Sequence, residues 1–171
     1  EERRESGRSP VAGQGASVVP LAEERVPALL ALMQAFYAHE GFVFNPAASG
    51  GMLRHLLDHP EVGAAFLVCE AQRAVGYLVL TRCYSLEFGG PFVLLDEIFL
   101  LPGAQGKGFG KRLLDAASAY CREHGAAYLR LGVQKKNGRA TDASREYGFR
   151  TGDRFLRSLP LGGGGRGVAG E

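Results

Sequence analysis

The run Phe92–Leu101, read as Phe-Val-Leu-Leu-Asp-Glu-Ile-Phe-Leu-Leu, constrains the fold of this chain more than any other segment. It is apolar at both parities except at Asp96 and Glu97, so both faces of the strand it forms must be covered, as in a central strand. Pro102 closes the run. Gln105-Gly106-Lys107-Gly108-Phe109-Gly110 follows, and then an amphipathic helix over Lys111–His124, with Leu113, Leu114, Ala117, Tyr120 and Cys121 inward and Gly125 as its stop. Three glycines between a strand and a helix let the backbone approach a ligand closely and aim several N–H groups at one point. The helix dipole adds partial positive charge there, which suits a phosphate or diphosphate.

The remaining periods surround this unit. Ser17–Val19 reads as a short strand. Leu29, Leu30, Leu32, Met33, Phe36 and Tyr37 stand at helical spacing between Leu21 and His39, with Pro27 marking a start. Asn45-Pro46 opens a second helix carried by Met52, Leu53, Leu56 and Leu57, and Pro60 ends it. Ala64–Glu70 and Ala74–Cys83 are β-rich runs joined at Ala71-Gln72-Arg73, which makes a hairpin. Tyr128–Val133 is a strand, Arg139–Tyr147 a short helix and Phe149–Leu159 a last strand. The order βααβββαβαβ gives an α/β fold, one mixed sheet with helices on both faces, over residues 17–160. Residues 1–16 and the Gly-rich 161–171 lack periodicity and read as flexible tails.

Composition narrows the function classes. A chain of 171 residues, 46% hydrophobic and 22% charged, has the apolar content to fill one core and is not disordered throughout. Twenty basic and 18 acidic residues leave a net charge of +2, too even a balance for a nucleic-acid partner. No apolar run approaches the ~20 residues of a membrane helix, so no membrane partner is expected. Glu1, Glu2, Arg3 and Arg4 have no apolar block behind them, so a secretory leader is not expected and a cytoplasmic location is. Cys69, Cys83 and Cys121 form no CxxC pair and have no His at ligand spacing, which argues against a disulfide framework and against a metal site.

Two known phosphate-binding turns fail on the residues. A nucleotide P-loop needs Ser or Thr after its Lys, and Lys111 is followed by Arg112. A dinucleotide fingerprint needs GxGxxG and an acid ending the next strand, whereas Gly106, Gly108 and Gly110 give GxGxG and the next strand ends at Val133-Gln134. Gln105, Gly108 and Gly110 do match the [Gln/Arg]-x-x-Gly-x-[Gly/Ala] signature of the GNAT superfamily of acyl-CoA N-acyltransferases, behind a central strand that ends near a Pro. Asn137, Ala140 and Gly148-Phe149 match that family's Asn-x-x-Ala-x-x-Leu-Tyr-x-x-x-Gly-Phe pattern. The chain thus resembles the family in element order over about residues 17–160 and in motif over 92–149.

The resemblance implies a GNAT-like fold with a mostly antiparallel sheet, and an acetyl-CoA-dependent N-acetyltransferase without a metal. It implies that pantetheine runs along the backbone of Ile98, Phe99 and Leu100, and that the diphosphate rests on Gln105, Gly106, Lys107, Gly108, Phe109 and Gly110. Lys111 and Asn137 join the same cofactor-binding set. One departure falls on the chemistry. The family's Leu-Tyr is Ala143-Ser144 here, and that Tyr is the acid that protonates the departing thiolate in many members. Ser144, or Tyr147 one helical step on, is left for the role. A thiol of pKa ~8.5 leaves as thiolate at pH 7 for only about 2 kcal/mol, so loss of this acid slows the reaction without abolishing it.

The amine is the harder partner. An alkylammonium of pKa ~10.4 costs about 4.6 kcal/mol to deprotonate at pH 7, so a base is needed. Asp96 and Glu97 are the acids of the central strand, and successive residues face opposite sides, so one of them looks into a given cleft. The family pattern puts Asp96 first as base or amine-binding carboxylate and Glu97 next. In the resembling family two loops flank the acceptor pocket, which brings in Tyr37 and Glu40 after the first helix and Tyr84 and Glu87 before the central strand. The acceptor is a small-molecule amine or a peptide or protein amine, and dimers are common in that family. Two alternatives stay open: an acyl-CoA-binding regulatory module with little turnover, and an acyltransferase for a non-amine acceptor.

Overall fold

The structure is a computed structural model, and it describes residues 15–132 and 138–152. The chain divides into two compact units, residues 1–134 and 135–171. The first holds β1 (Ser17–Pro20), α1 (Val26–Glu40), α2 (Pro46–Asp58), β2 (Gly63–Glu70), β3 (Arg73–Ser85), β4 (Gly90–Leu100), α3 (Phe109–Glu123) and β5 (Leu129–Leu131). The second holds α4 (Gly138–Tyr147). The observed order is therefore βααβββαβα. Phe149–Gly152 form no strand, and the rest of the expected last strand, 153–159, lies outside the described residues, as do Asn137 and residues 161–171.

Local chemistry explains the elements. Pro27 falls in the first turn of α1, where its missing N–H costs nothing, and Gly41 ends the helix at φ 74°. The Asn45 side chain caps α2 by accepting from the Ala48 N–H at 3.1 Å. Ala71 and Gln72 both adopt positive φ, so β2 and β3 are joined by the tight two-residue turn that matches strand twist. In α4, Gly148 at φ 115° ends the helix, with its N–H and that of Phe149 bonded to the Ser144 carbonyl at 3.2 and 3.0 Å.

The sheet order is β1-β2-β3-β4-β5, antiparallel except for the parallel β4–β5 pair. Its two faces are covered separately. Leu78, Leu80, Val93 and Leu95 pack with Phe109, Leu113 and Ala117 of α3. Leu67, Tyr77 and Phe99 pack with Leu29, Met33 and Tyr37 of α1 and Leu53 of α2. Gly76 allows the close approach between β3 and β4: a Cβ there would run into the Leu100 side chain and lie 2.7 Å from the Phe99 carbonyl oxygen.

One irregularity in β4 matters more than the rest. Leu80 opposes Leu95 and Val79 opposes Glu97, so Asp96 is an extra residue with no partner on β3. This β-bulge inverts the alternation. Without it Leu95, Glu97 and Phe99 would share a face. With it, Ile98 and Leu100 continue the α3 face begun by Val93 and Leu95, while Glu97 and Phe99 turn towards α1.

Candidate active site

Three features converge on the second half of β4. The first is an open edge. β5 pairs with β4 only at Val93, Leu94 and Leu95, so the pairing stops at the residue before the bulge. Beyond it, among the described residues, no strand covers that side of Glu97–Leu100. Alternate main-chain N–H and C=O groups of those residues point to that side, where no strand among the described residues bonds them. Phe99 is buried in the α1-face core and Ile98 and Leu100 pack on the α3 face, so all three offer backbone rather than side chains.

The second feature is the turn into α3. Gly106 and Gly108 adopt φ 75° and 83°, left-handed values that glycine takes without strain. Cβ atoms built on either would meet nothing within 4 Å, so the space beside the turn is open. Gly108 is the N-cap of α3 and no side chain caps the helix, which leaves the first-turn amides for something else. The helix starts at Phe109, earlier than the expected Lys111, because a left-handed glycine opens it instead of a Ser, Thr, Asp or Asn. Phe109 itself is buried in the core, so its main-chain N–H is what it presents. Gln105 Nε2 donates to the Leu100 carbonyl at 3.4 Å, which ties the turn to the strand end. Lys107 Nζ lies 3.4 Å from Glu70 and Lys111 Nζ 2.9 Å from Asp115, so both expected phosphate contacts already have carboxylate partners. A shallow depression beside the turn is lined by Glu70, Arg73, Val75, Leu101, Gly103 and Ala104.

The third feature is a carboxylate held by two phenols. Turned to the α1 face by the bulge, Glu97 accepts from Tyr37 Oη at 2.6 Å on Oε1 and from Tyr77 Oη at 2.8 Å on Oε2. Aromatic rings wall the group: Phe36, Phe42 and Phe44 lie 5.6, 6.2 and 5.5 Å from the Tyr37 ring, and Phe99 lies 6.4 Å from Tyr77. Burial, followed by the Glu97 charge, drives the Tyr77 hydroxyl far above the ordinary phenol range, so it stays a donor. Asp96, on the bulge, is reached by solvent, yet the protein around it withdraws enough water to raise its carboxyl above the usual range. Among the described residues no hydrogen bond or ion pair reaches that carboxylate.

The residues expected at the acceptor mouth divide. Tyr37 joins Glu97 directly. Glu40 is three residues on along α1 and meets His39 at 3.3 Å. Tyr84 and Glu87 belong to the β3–β4 hairpin, with Tyr84 paired to Pro91, six residues before Glu97 and so about 20 Å of strand away. The structure does not bring them to the Glu97 cluster; a second depression lies there instead, lined by Arg82, Tyr84, Pro91, Phe92 and His124 among others. Ser144 and Tyr147 are half-buried residues in the last turns of α4, in the second unit. Tyr77 was not among the expected site residues. Its signal was present: a Tyr in an apolar strand needs a partner for its hydroxyl, and an acid stood in the neighbouring strand.

Comparison with known proteins gives this arrangement its family. The model of the Acetyltransferase (GNAT) family matches residues 28–149, which is most of the chain. The chain belongs to the GNAT acetyltransferase family. An uncharacterised N-acetyltransferase of Bacillus subtilis (strain 168) is 29% identical over 82 residues, 48% of this chain and 55% of that protein. The streptothricin acetyltransferase of Streptomyces lavendulae is 40% identical over 55 residues, 32% of this chain and 29% of that enzyme. The chain thus spans about half or less of the curated relatives it matches. An integron cassette protein from the mobile metagenome of Cole Harbour Salt Marsh superimposes with a TM-score of 0.77 at 30% identity, covering 85% of this chain and 91% of that one. The GNAT fold and its acetyl-CoA-using family are therefore the frame for the site. Among the described residues no group of His, Cys, Asp and Glu converges as a metal site, and no helix is long and apolar enough to cross a membrane.

Proposed function

We propose that this chain transfers the acetyl group of acetyl-CoA to a primary amine by direct attack, within one ternary complex. The observation that supports this best is the shared strand. β4 carries the two carboxylates at its bulge and an open backbone edge after it, and ends at the amide-rich turn into α3. A long donor with an anionic diphosphate at one end and a thioester at the other suits that layout. The diphosphate rests on the N–H groups of Gln105–Gly110, where the helix dipole favours negative charge. Pantetheine lies along Glu97–Leu100 as an added strand, which brings the thioester to the bulge.

The amine binds opposite, beside Asp96 and Glu97. One carboxylate takes its proton, the nitrogen attacks the thioester carbon, and a strand N–H stabilises the oxyanion. In many members of the family a Tyr at the position of Ser144 protonates the departing thiolate, and here Ser144, or Tyr147 one helical step on, is left for that role. The acceptor class is an amine with a cationic resting form, whether small molecule or peptide. The antibiotic named for the Streptomyces relative makes streptothricin-like amines a first choice for a screen.

Thiol release from acetyl-CoA over a panel of streptothricin, aminoglycosides, polyamines, amino acids and peptides, with mass analysis of the products, tests the proposal. An acetylated amine is expected. Tight acetyl-CoA binding with no release from any amine would favour a binding module instead, the reading that the Ala143-Ser144 substitution keeps in play.

A further inference from the structure

We infer that Tyr37 and Tyr77 commit Glu97 to holding the acceptor's ammonium, and that Asp96, which no such clamp reaches among the described residues, takes the proton. This rests on the reading of the chain as an amine acetyltransferase and divides labour between two adjacent acids.

The geometry carries the division. Glu97 accepts one O–H on each oxygen, at 2.6 Å from Tyr37 and 2.8 Å from Tyr77. The donors come from different elements, α1 and β3, so the plane of the carboxylate is fixed against both. A carboxylate has about four lone-pair sites, so each oxygen keeps one for an incoming N–H. Tyr77 is fully buried and keeps its proton, so it steadies Glu97 and relays nothing. Asp96 differs on each count. It is solvent-reached, receives no hydrogen bond among the described residues and has its carboxyl raised above the usual range by burial, so its oxygens are left to take a proton. Asp96 is the bulge residue directly before Glu97, so both acids border the same stretch of β4. Among the described residues, the titratable groups that meet the pair are Tyr77 of β3 and Tyr37 of α1.

In the step this implies, R–NH3+ is held by Glu97 and gives one proton to Asp96. The freed lone pair forms the C–N bond at the thioester carbonyl carbon. The C–S bond breaks and its electron pair leaves with sulfur as CoA thiolate. The nitrogen loses a second proton as the amide forms, so one proton ends on the thiolate and the other passes to solvent.

The test uses ethylamine, an ammonium at pH 7, and trifluoroethylamine, largely neutral there, as acceptors in the thiol-release assay. Tyr77→Phe and Tyr37→Phe should each raise KM for ethylamine about tenfold, the loss of one hydrogen bond to a charged group. Turnover at saturation and acetyl-CoA Kd should hold, and the neutral amine should be affected less. Asp96→Asn should lower kcat more than tenfold for ethylamine and far less for trifluoroethylamine, which arrives deprotonated. Equal losses with both amines, or a loss in kcat rather than KM for the Phe variants, would overturn the division. Should Tyr77→Phe fail to fold, Tyr37→Phe reads the same clamp from the α1 side. Phe variants that match the wild type defeat the clamp and leave the transferase reading standing. A wild type that acetylates no amine ends both.

Discussion

Gly108 separates ligand binding from folding in one position. It caps α3 at φ 83°, and a Cβ added there meets nothing within 4 Å. Substitution therefore brings backbone strain of about 1 kcal/mol and no clash. Asp and Asn are both good N-caps, and either side chain offsets part of that strain by accepting a first-turn N–H. Gly108→Asn and Gly108→Asp should thus melt within about 4 °C of the wild type, given a Tm shift of about 2–4 °C per kcal/mol at this size. The two differ in charge. A carboxylate about 4 Å from a phosphate oxygen repels it by ~1 kcal/mol at the dielectric of water and by ~4 kcal/mol at an effective value of 20. Isothermal titration with acetyl-CoA should then show Gly108→Asp binding about five- to a thousandfold more weakly than Gly108→Asn, a gap that narrows as salt rises. Equal affinities for the two variants would refute the placement of the diphosphate on this turn.

Other consequences follow from β3 and β4. Gly76→Ala drives a methyl into the Leu100 side chain and towards the Phe99 carbonyl, 2.7 Å away. About 3 kcal/mol of lost stability and a Tm about 6–12 °C lower are expected by calorimetry, and an unchanged Tm would contradict the packing. Asp96 has its folded carboxyl raised by burial, so the folded state binds more protons than the unfolded state between the two values. Its contribution to stability is therefore lost as pH rises through the folded value and regained as pH falls to the unfolded one. Asp96→Asn should raise Tm at pH 7 relative to wild type, by a margin that shrinks as pH falls towards the unfolded carboxyl value, while activity falls; a lower Tm at pH 7 would reverse the sign of that argument.

Much of the fold was legible because its period signals are strong. The apolar run from Phe92 points to the central strand, and the β-rich runs Ala64–Glu70 and Ala74–Cys83 about a polar turn point to the hairpin. The start of α3 was read late, since cap rules look for a hydroxyl or carboxylate and Gly108 provides neither. The face of Glu97 could not be read. A bulge adds one residue without altering composition, and period-two reasoning places Glu97 with Leu95, whereas the extra Asp96 turns it to α1. The phenol clamp was hidden by distance: Tyr37 and Glu97 are 60 positions apart, and Tyr77 passes for an ordinary core residue until β3 pairs with β4. Tyr84 and Glu87 come in through the resembling family's loop before the central strand, and the hairpin carries them away from the bulge.

Backbone amide shifts during titration with acetyl-CoA test the central assignment most directly. A chain that seats the donor along β4 should shift the N–H signals of Gly106, Gly108, Phe109 and Gly110 together with those of Glu97–Leu100, and leave the hairpin around Tyr84–Gly90 unmoved. Saturable shifts confined to the hairpin, or binding that spares the turn, would contradict it.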